Sequence, residues 1–232
     1  MTNNVDLNNL FSYSFSLDCL IFTFVDQRLK VLLIRRNVEP FKNSWAIPGD
    51  LILPSEGLEV AAERILFQLT NISGVALHQS QTFGEPKRHP QGRVITCAYY
   101  ALVRIDEVHV KASSWANDIK WVDLERIEDL AFDHNLILNS TVNNLKQKLI
   151  NEPIAFDLLP VKFTLNELHH LYEFVYDAKL DKANFRKRLK NVPLKQLSEK
   201  QKGVKHRPAA LFEFDRSAYE EMLKNTFLTF KI

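Results

Sequence analysis

Residues Trp45–Ile72 read WAIPGDLILPSEGLEVAAERILFQLTNI, and the fold is decided by how this stretch is read. Trp45-Ala46-Ile47-Pro48-Gly49 leads through Asp50–Pro54 into a segment with a different period. Leu58, Ala61, Ala62, Ile65, Leu66, Leu69 and Ile72 recur at three- and four-residue spacing, which places them on one face of an α-helix. Outside this helix the pattern is that of strands. Leu17–Phe24 and Leu29–Ile34 are β-rich runs separated by the polar, hairpin-length turn Val25-Asp26-Gln27-Arg28. Further strands are expected at Gln79–Phe83, Arg93–Ile105 and Ile119–Val122, with a short helix at Glu125–Leu130 and a longer one at His134–Leu149. Mixed strands around two or more helices imply an α/β sandwich rather than a helical bundle.

At 232 residues the chain suffices for one large domain or two of ordinary size. Asn151-Glu152-Pro153 and Leu159-Pro160 interrupt the helical pattern, and the charge changes sign nearby. Residues 1–152 carry 15 Lys and Arg against 18 Asp and Glu; residues 153–232 carry 15 against 10. Within 162–207 the imbalance is 12 against 5. The expected division is therefore an acidic domain over 1–152 and a basic one over 153–232, the second suited to a polyanion. Cys19 and Cys97 each sit in an apolar run, as reduced core cysteines of a cytosolic protein would, and nothing requires a disulfide between them. No stretch approaches the ~20 apolar residues that span a membrane. Met1–Asp6 has no basic segment leading into an apolar one, so no secretory signal is expected and the cytoplasm is the expected location.

Residues 45–72 resemble the Nudix box, G-x5-E-x7-R-E-U-x-E-E-x-G-U with U aliphatic. With Asp50 at the motif glycine, Glu56 takes the first glutamate position and Arg64 the arginine. The three later glutamates are replaced by Ile65, Gln68 and Leu69, and the last glycine by Asn71. Starting instead from Gly49 puts Phe67 and Gln68 at the final glutamate pair, so neither register restores the carboxylates. In active members of the family these glutamates hold a divalent metal beside a phosphate ester. A hard cation of that kind requires oxygen ligands, usually carboxylates. The resemblance thus implies a Nudix-like domain with no catalytic residue, no metal and no cofactor. Gly84–Ile95 resembles the segment that faces a nucleotide in this family. Arg36, Arg88 and Arg93 are the expected effector-binding residues, since a guanidinium recognises phosphate or sugar hydroxyls through forked hydrogen bonds. Arg35 and Arg36 point to opposite sides of a strand, so only one of them faces a pocket. Ala131-Phe132-Asp133-His134 resembles a further recurrent segment, with His134 expected as a structural group at a helix start.

In the basic half, Thr164-Leu165-Asn166-Glu167 carries a capping-box signature, predicting a helix over Leu165–Tyr176. A turn over Asp177–Asp181 and a second helix over Lys182–Lys190 complete a helix-turn-helix, and Gly203–Phe214 supplies a wing. Phe185 and Leu189 should pack inward. Lys182, Asn184, Arg186, Lys187 and Lys190 then face outward, a composition suited to the major groove. This arrangement, with Lys205, His206 and Arg207 near the backbone or minor groove, resembles the carboxy-terminal domain of the Nudix-related transcriptional regulators. The resemblance implies an α/β/α sandwich followed by a small winged helix-turn-helix, acting as a ligand-responsive repressor. Its expected partners are double-stranded operator DNA, a nucleotide-sugar or sugar effector, and a second copy of the chain in a homodimer. ADP-ribose and sugars such as arabinose remain alternative effectors at this point. The rival expectation is a metal-dependent Nudix pyrophosphatase drawing on Glu56, Glu59 and Glu63.

Overall fold

The computed structural model describes residues 13–112, 116–203 and 207–225. These form two compact units. The first comprises the described residues within Met1–Phe22, Val31–Leu102 and Asp106–Val142, and the second those within Thr23–Lys30, Val103–Ile105 and Asn143–Ile232.

The first unit is built around residues 14–22 of β1 (Ser14–Val25), a strand whose residues Leu17–Phe24 are all buried. Such a nearly continuous apolar run belongs in the middle of a sheet covered on both faces. Asp26 and Gln27, with φ of 53° and 62°, turn the chain tightly into β2 (Arg28–Arg36). Two successive positive φ values give the hairpin turn that matches the twist of its strands. β3 (Trp45–Ala46) pairs antiparallel with β2, and β4 (Gly49–Leu51) pairs antiparallel with β1. Gly49 lies opposite Asp18, and a Cβ there would stand 2.1 Å from the Asp18 Oδ1, so only glycine allows this approach.

α1 (Leu58–Thr70) then carries the chain towards β5 (His78–Phe83) and β6 (Val94–Leu102). β6 runs parallel to β1, and β5 pairs antiparallel with β6. The sheet order is β3-β2-β1-β6-β5, with β4 also on β1 and β7 (Ala116–Asp123) on β2. Cys19 and Cys97 are buried and free. α2 (His134–Asn151) follows. Two expectations need correction. The strand expected to continue to Ile105 ends at Leu102. The expected helix over Glu125–Leu130 is only a 3-10 turn, Leu124–Arg126, with extended backbone at Ile127. There the Asn135 side chain accepts from Leu130 N–H and donates to the Glu128 carbonyl, satisfying both groups without a helix.

The second unit contains α3 (Ala155–Leu158), α4 (Leu165–Tyr176), α5 (Lys182–Arg188), β8 (Leu194–Lys200), β9 (Ala210–Phe214) and α6 (Arg216–Asn225). Thr164 and Glu167 form the reciprocal capping box at the start of α4. Asp181 caps α5 by accepting from the Asn184 backbone N–H. The α-helix expected to reach Lys190 stops at Arg188 and closes in a 3-10 turn, Leu189–Asn191. Val192 precedes a proline and is extended, φ −97° and ψ 128°, as the proline ring demands. The wing is an antiparallel hairpin of β8 and β9, with Phe163 bridged to Phe212 through both backbone groups. Beneath it Phe156 stacks on Phe214 with centroids 4.0 Å apart, and the Tyr172 hydroxyl donates to the Leu149 carbonyl.

Candidate functional site

A cleft of roughly 400 Å³ opens in the first unit where β1, β4 and the loop before β6 meet the start of α2. Arg36, Arg88 and Arg93 all line it. They differ in what occupies their donors. Arg36, at the end of β2, donates from Nε to the Pro40 carbonyl and lies over the Phe132 ring, 4.9 Å from its centroid. Its neighbour Arg35 is exposed and bonds the Asn43 carbonyl. Arg93 donates to the Gly84 carbonyl and lies over Tyr13. Arg88 is almost wholly buried and forks onto Asp133, with Nε and Nη2 at 2.9 and 2.7 Å from its carboxylate oxygens.

Asp18 stands at the floor of the cleft, deep in β1. Thr96 donates its hydroxyl to Asp18 Oδ2 at 2.8 Å, and Arg88 Nη2 is 3.8 Å from the same oxygen. Burial pushes the Asp18 pKa up to about 6, against the pull of Thr96 and Arg88. His134 begins α2 beside it. The Ile47 N–H donates to His134 Nδ1 at 2.9 Å, so in the neutral ring the proton sits on Nε2, 3.5 Å from Asp18 Oδ1. Burial pushes the His134 pKa down to about 3, keeping the ring neutral in ordinary conditions. Phe132, held at φ 55°, forms an aromatic cluster with its neighbours. His89 stacks on it at 5.0 Å with a 16° interplanar angle, and Phe41 meets it edge-on at 4.7 Å. The cleft therefore joins three guanidinium groups, the carboxylates of Asp18, Glu39 and Asp50 and an aromatic face, groups that can meet phosphate, sugar hydroxyls and a flat ring respectively.

Sequence reasoning did not single out Asp18, Thr96, Phe132 or His89 as site residues. Asp18 carries a visible signal, since it is the charged residue of the apolar run Leu17–Phe24. The stacking of His89 on Phe132 joins residues 43 positions apart and has no local signature.

α1 runs beside this cleft with its degenerate box. Arg64 binds Glu56 through both Nε and Nη2, the former at 2.8 Å. It also donates to the Gln68 side-chain oxygen at 3.1 Å and to the Leu51 carbonyl at 3.0 Å. Ile65 and Leu69 are buried at 0% and 5% exposure. Asn71 takes the left-handed conformation, φ 63°, that the family's glycine would supply, and its N–H closes the helix on the Phe67 carbonyl. These donors do not fit a magnesium-like cation. Two of the three glutamate positions offer packed hydrocarbon, the third an amide engaged by Arg64, and Glu56 is held in an ion pair.

In the second unit, Phe185 and Leu189 are buried at 4% and 6% exposure, while Lys182, Asn184, Arg186, Lys187 and Lys190 are exposed. Arg207 is exposed in the loop between β8 and β9, whereas Lys205 and His206 lie outside the described residues. A short helix held from beneath by two apolar side chains, with cations and an amide outward, beside a β-hairpin, has the form of a winged-helix DNA-reading surface.

Comparisons with known proteins agree with this architecture. The profile of the NUDIX domain matches residues 16–141, and that of the NrtR DNA-binding winged helix domain matches residues 155–214. The ADPR responsive transcriptional repressor NtrR of Acinetobacter baylyi is 31% identical over 209 residues, covering 88% of this chain and 83% of that protein. The crystal structure of Shewanella oneidensis NrtR complexed with a 27mer DNA superposes with a TM-score of 0.70 at 29% identity, over 87% of this chain and 93% of that one. The NUDIX domain of the same Shewanella protein, complexed with ADP ribose, gives a TM-score of 0.56 at 30% identity, over 61% of this chain and 94% of that one. Fold and surfaces define a two-domain regulator, a Nudix domain followed by a DNA-binding winged helix. The chain belongs to the NrtR family of Nudix-related transcriptional regulators.

Proposed function

We propose that this protein is a DNA-binding transcriptional repressor whose Nudix domain senses ADP-ribose and does not hydrolyse it. One observation carries the reading: the helix that would hold a metal presents buried Ile65 and Leu69 and an Arg64-bound Gln68, while the neighbouring cleft keeps its cationic and aromatic lining. Binding without turnover is what such a site supports. The response to ADP-ribose of the Acinetobacter relative and the ADP ribose complex of the Shewanella domain favour this nucleotide over a plain sugar. Arg36 and Arg93 face the diphosphate, and the adenine lies against the Phe132–His89 cluster. Arg88 acts through Asp133 and Asp18, fixing the floor of the cleft.

Lys182, Asn184, Arg186, Lys187 and Lys190 enter the major groove, with Lys205, His206 and Arg207 on flanking phosphates or the minor groove. The functional boundary falls at 152/153, just beyond the end of α2 at Asn151. The protein acts in the cytoplasm as a homodimer, so that two copies of α5 meet half-sites about one DNA turn apart, ~34 Å. Among the described residues no helix is long and apolar enough to cross a membrane. The test is an electrophoretic shift on the gene's own upstream region. A retarded complex that ADP-ribose dissolves is the expected result, and no complex at protein concentrations that saturate related operators refutes it.

A further inference from the structure

Within α4, His169, His170 and Glu173 converge, their imidazole and carboxylate ligand atoms all within 4.8 Å of one another. His170 Nδ1 is 3.0 Å and His169 Nδ1 3.8 Å from Glu173 Oε2. Two ligands at ~2.0–2.1 Å on a tetrahedral ion stand roughly 3.4 Å apart, so these separations bracket the required one. His169 is the telling member. Its ring is packed edge-on against Phe185, and its side chain is only 5% exposed. Nε2 lies 2.9 Å from the Leu180 carbonyl, which can only accept, so the proton of the neutral ring belongs on Nε2. That leaves Nδ1 with a bare lone pair, buried and without a hydrogen-bond partner, directed at a carboxylate oxygen that also carries lone pairs. A cation between the two removes the conflict. The Nε2–H bond to a backbone carbonyl is also the outer support that orients ligating histidines in metal sites.

We propose that His169, His170 and Glu173 form a binding site for a borderline divalent cation, with Zn2+ as the ion that best fits two imidazoles and one carboxylate. A fourth position is left for water, since His170 is 26% exposed and borders solvent. Lys179 Nζ, 3.5 Å from Glu173 Oε2, is on a side chain 92% exposed and is free to swing outward when the ion enters. Glu173 Oε1 meanwhile keeps the Leu180 N–H, so an ion on Oε2 ties α4 to the turn that leads into α5. Its bearing on DNA recognition rests on the reading of α5 given above, whereas binding of the ion does not.

The full chain, stripped with a chelator, is titrated with Zn2+ against a chromophoric chelator, and with Co2+ followed by visible absorption. One tight equivalent of Zn2+ and ligand-field bands from Co2+ are expected. Glu173→Gln, whose amide oxygen still accepts from Leu180 N–H, and His170→Ala should each weaken Zn2+ by at least about 10-fold. Zn2+ should raise the Tm of the parent more than that of Glu173→Gln at the same ion concentration. Absence of Co2+ bands in the parent, or equal Zn2+ affinity in parent and both variants, overturns the site. Neither measurement involves DNA or ADP-ribose, so its failure leaves the repressor reading standing.

Discussion

Asp18 shows how much one buried carboxyl contributes to the cleft. In the folded chain its pKa is raised to about 6 from an ordinary 3.8, so the native state keeps this proton after the unfolded chain has lost it. Stability from this group is therefore full below about pH 4, falls as pH rises through about 6, and is flat beyond. His134 acts in the opposite sense, because its depressed pKa makes stability rise between about pH 3 and 6.5 and level off above. Replacing Asp18 with Asn removes the first contribution and leaves the second. Urea denaturation at pH 4.5 and 7 should show the variant gaining more stability than the parent over that interval, by about 2 kcal/mol, because only the parent carries the opposing Asp18 contribution. An identical pH dependence in the two proteins would refute the burial argument. Arg36 makes a second prediction at this scale. It lies over Phe132 and lines the cleft with one side-chain donor used on Pro40. Arg36→Ala should weaken ADP-ribose about 10- to 100-fold, a charge-assisted hydrogen bond being worth ~1.5–3 kcal/mol. Calorimetric titration checks this, and unchanged affinity would place the diphosphate elsewhere.

Elements divide by how much of their logic is local. α4 was legible because Thr164 and Glu167 sit three apart before an apolar face, and the structure has both capping bonds. Thr164→Ala should cost about 1 kcal/mol in denaturant unfolding, with the helix otherwise intact. α1 was equally legible, since its seven apolar positions fall on one face. β8 was not. Its sequence, Leu194-Lys195-Gln196-Leu197-Ser198-Glu199-Lys200, buries almost nothing, and its backbone takes strand form by pairing with β9. Likewise β3 and β4 are only two and three residues long, too short for any period to register. The cleft mixed both cases. Its arginines were readable from composition and position, but their different engagements were not, because Arg88 meets Asp133 across 45 residues. On α5 the exposed face yields a sharper prediction. Arg186→Ala and Lys187→Ala should each lower operator affinity and reduce the slope of log affinity against log salt by roughly one. The Tm should stay near that of the parent, since both side chains are exposed. Undiminished affinity in the double variant would show that another face meets DNA.

At the scale of the whole chain the question is how a nucleotide in one unit alters DNA binding by another. Linkage requires that ADP-ribose bind the DNA-competent and DNA-released states with different free energies, and that the coupling be reciprocal. Operator DNA should therefore weaken ADP-ribose by the same factor that ADP-ribose weakens the operator, within the usual range of ~1–3 kcal/mol. The central claim is tested most directly on one sample: protein bound to its fluorescent upstream DNA, titrated with ADP-ribose in the presence of Mg2+ while the nucleotide is recovered and analysed. Falling anisotropy with the nucleotide returned intact is the predicted result. Cleavage of the diphosphate at ordinary enzymatic rates of ~1–10³ s⁻¹, with the DNA complex undisturbed, would contradict it.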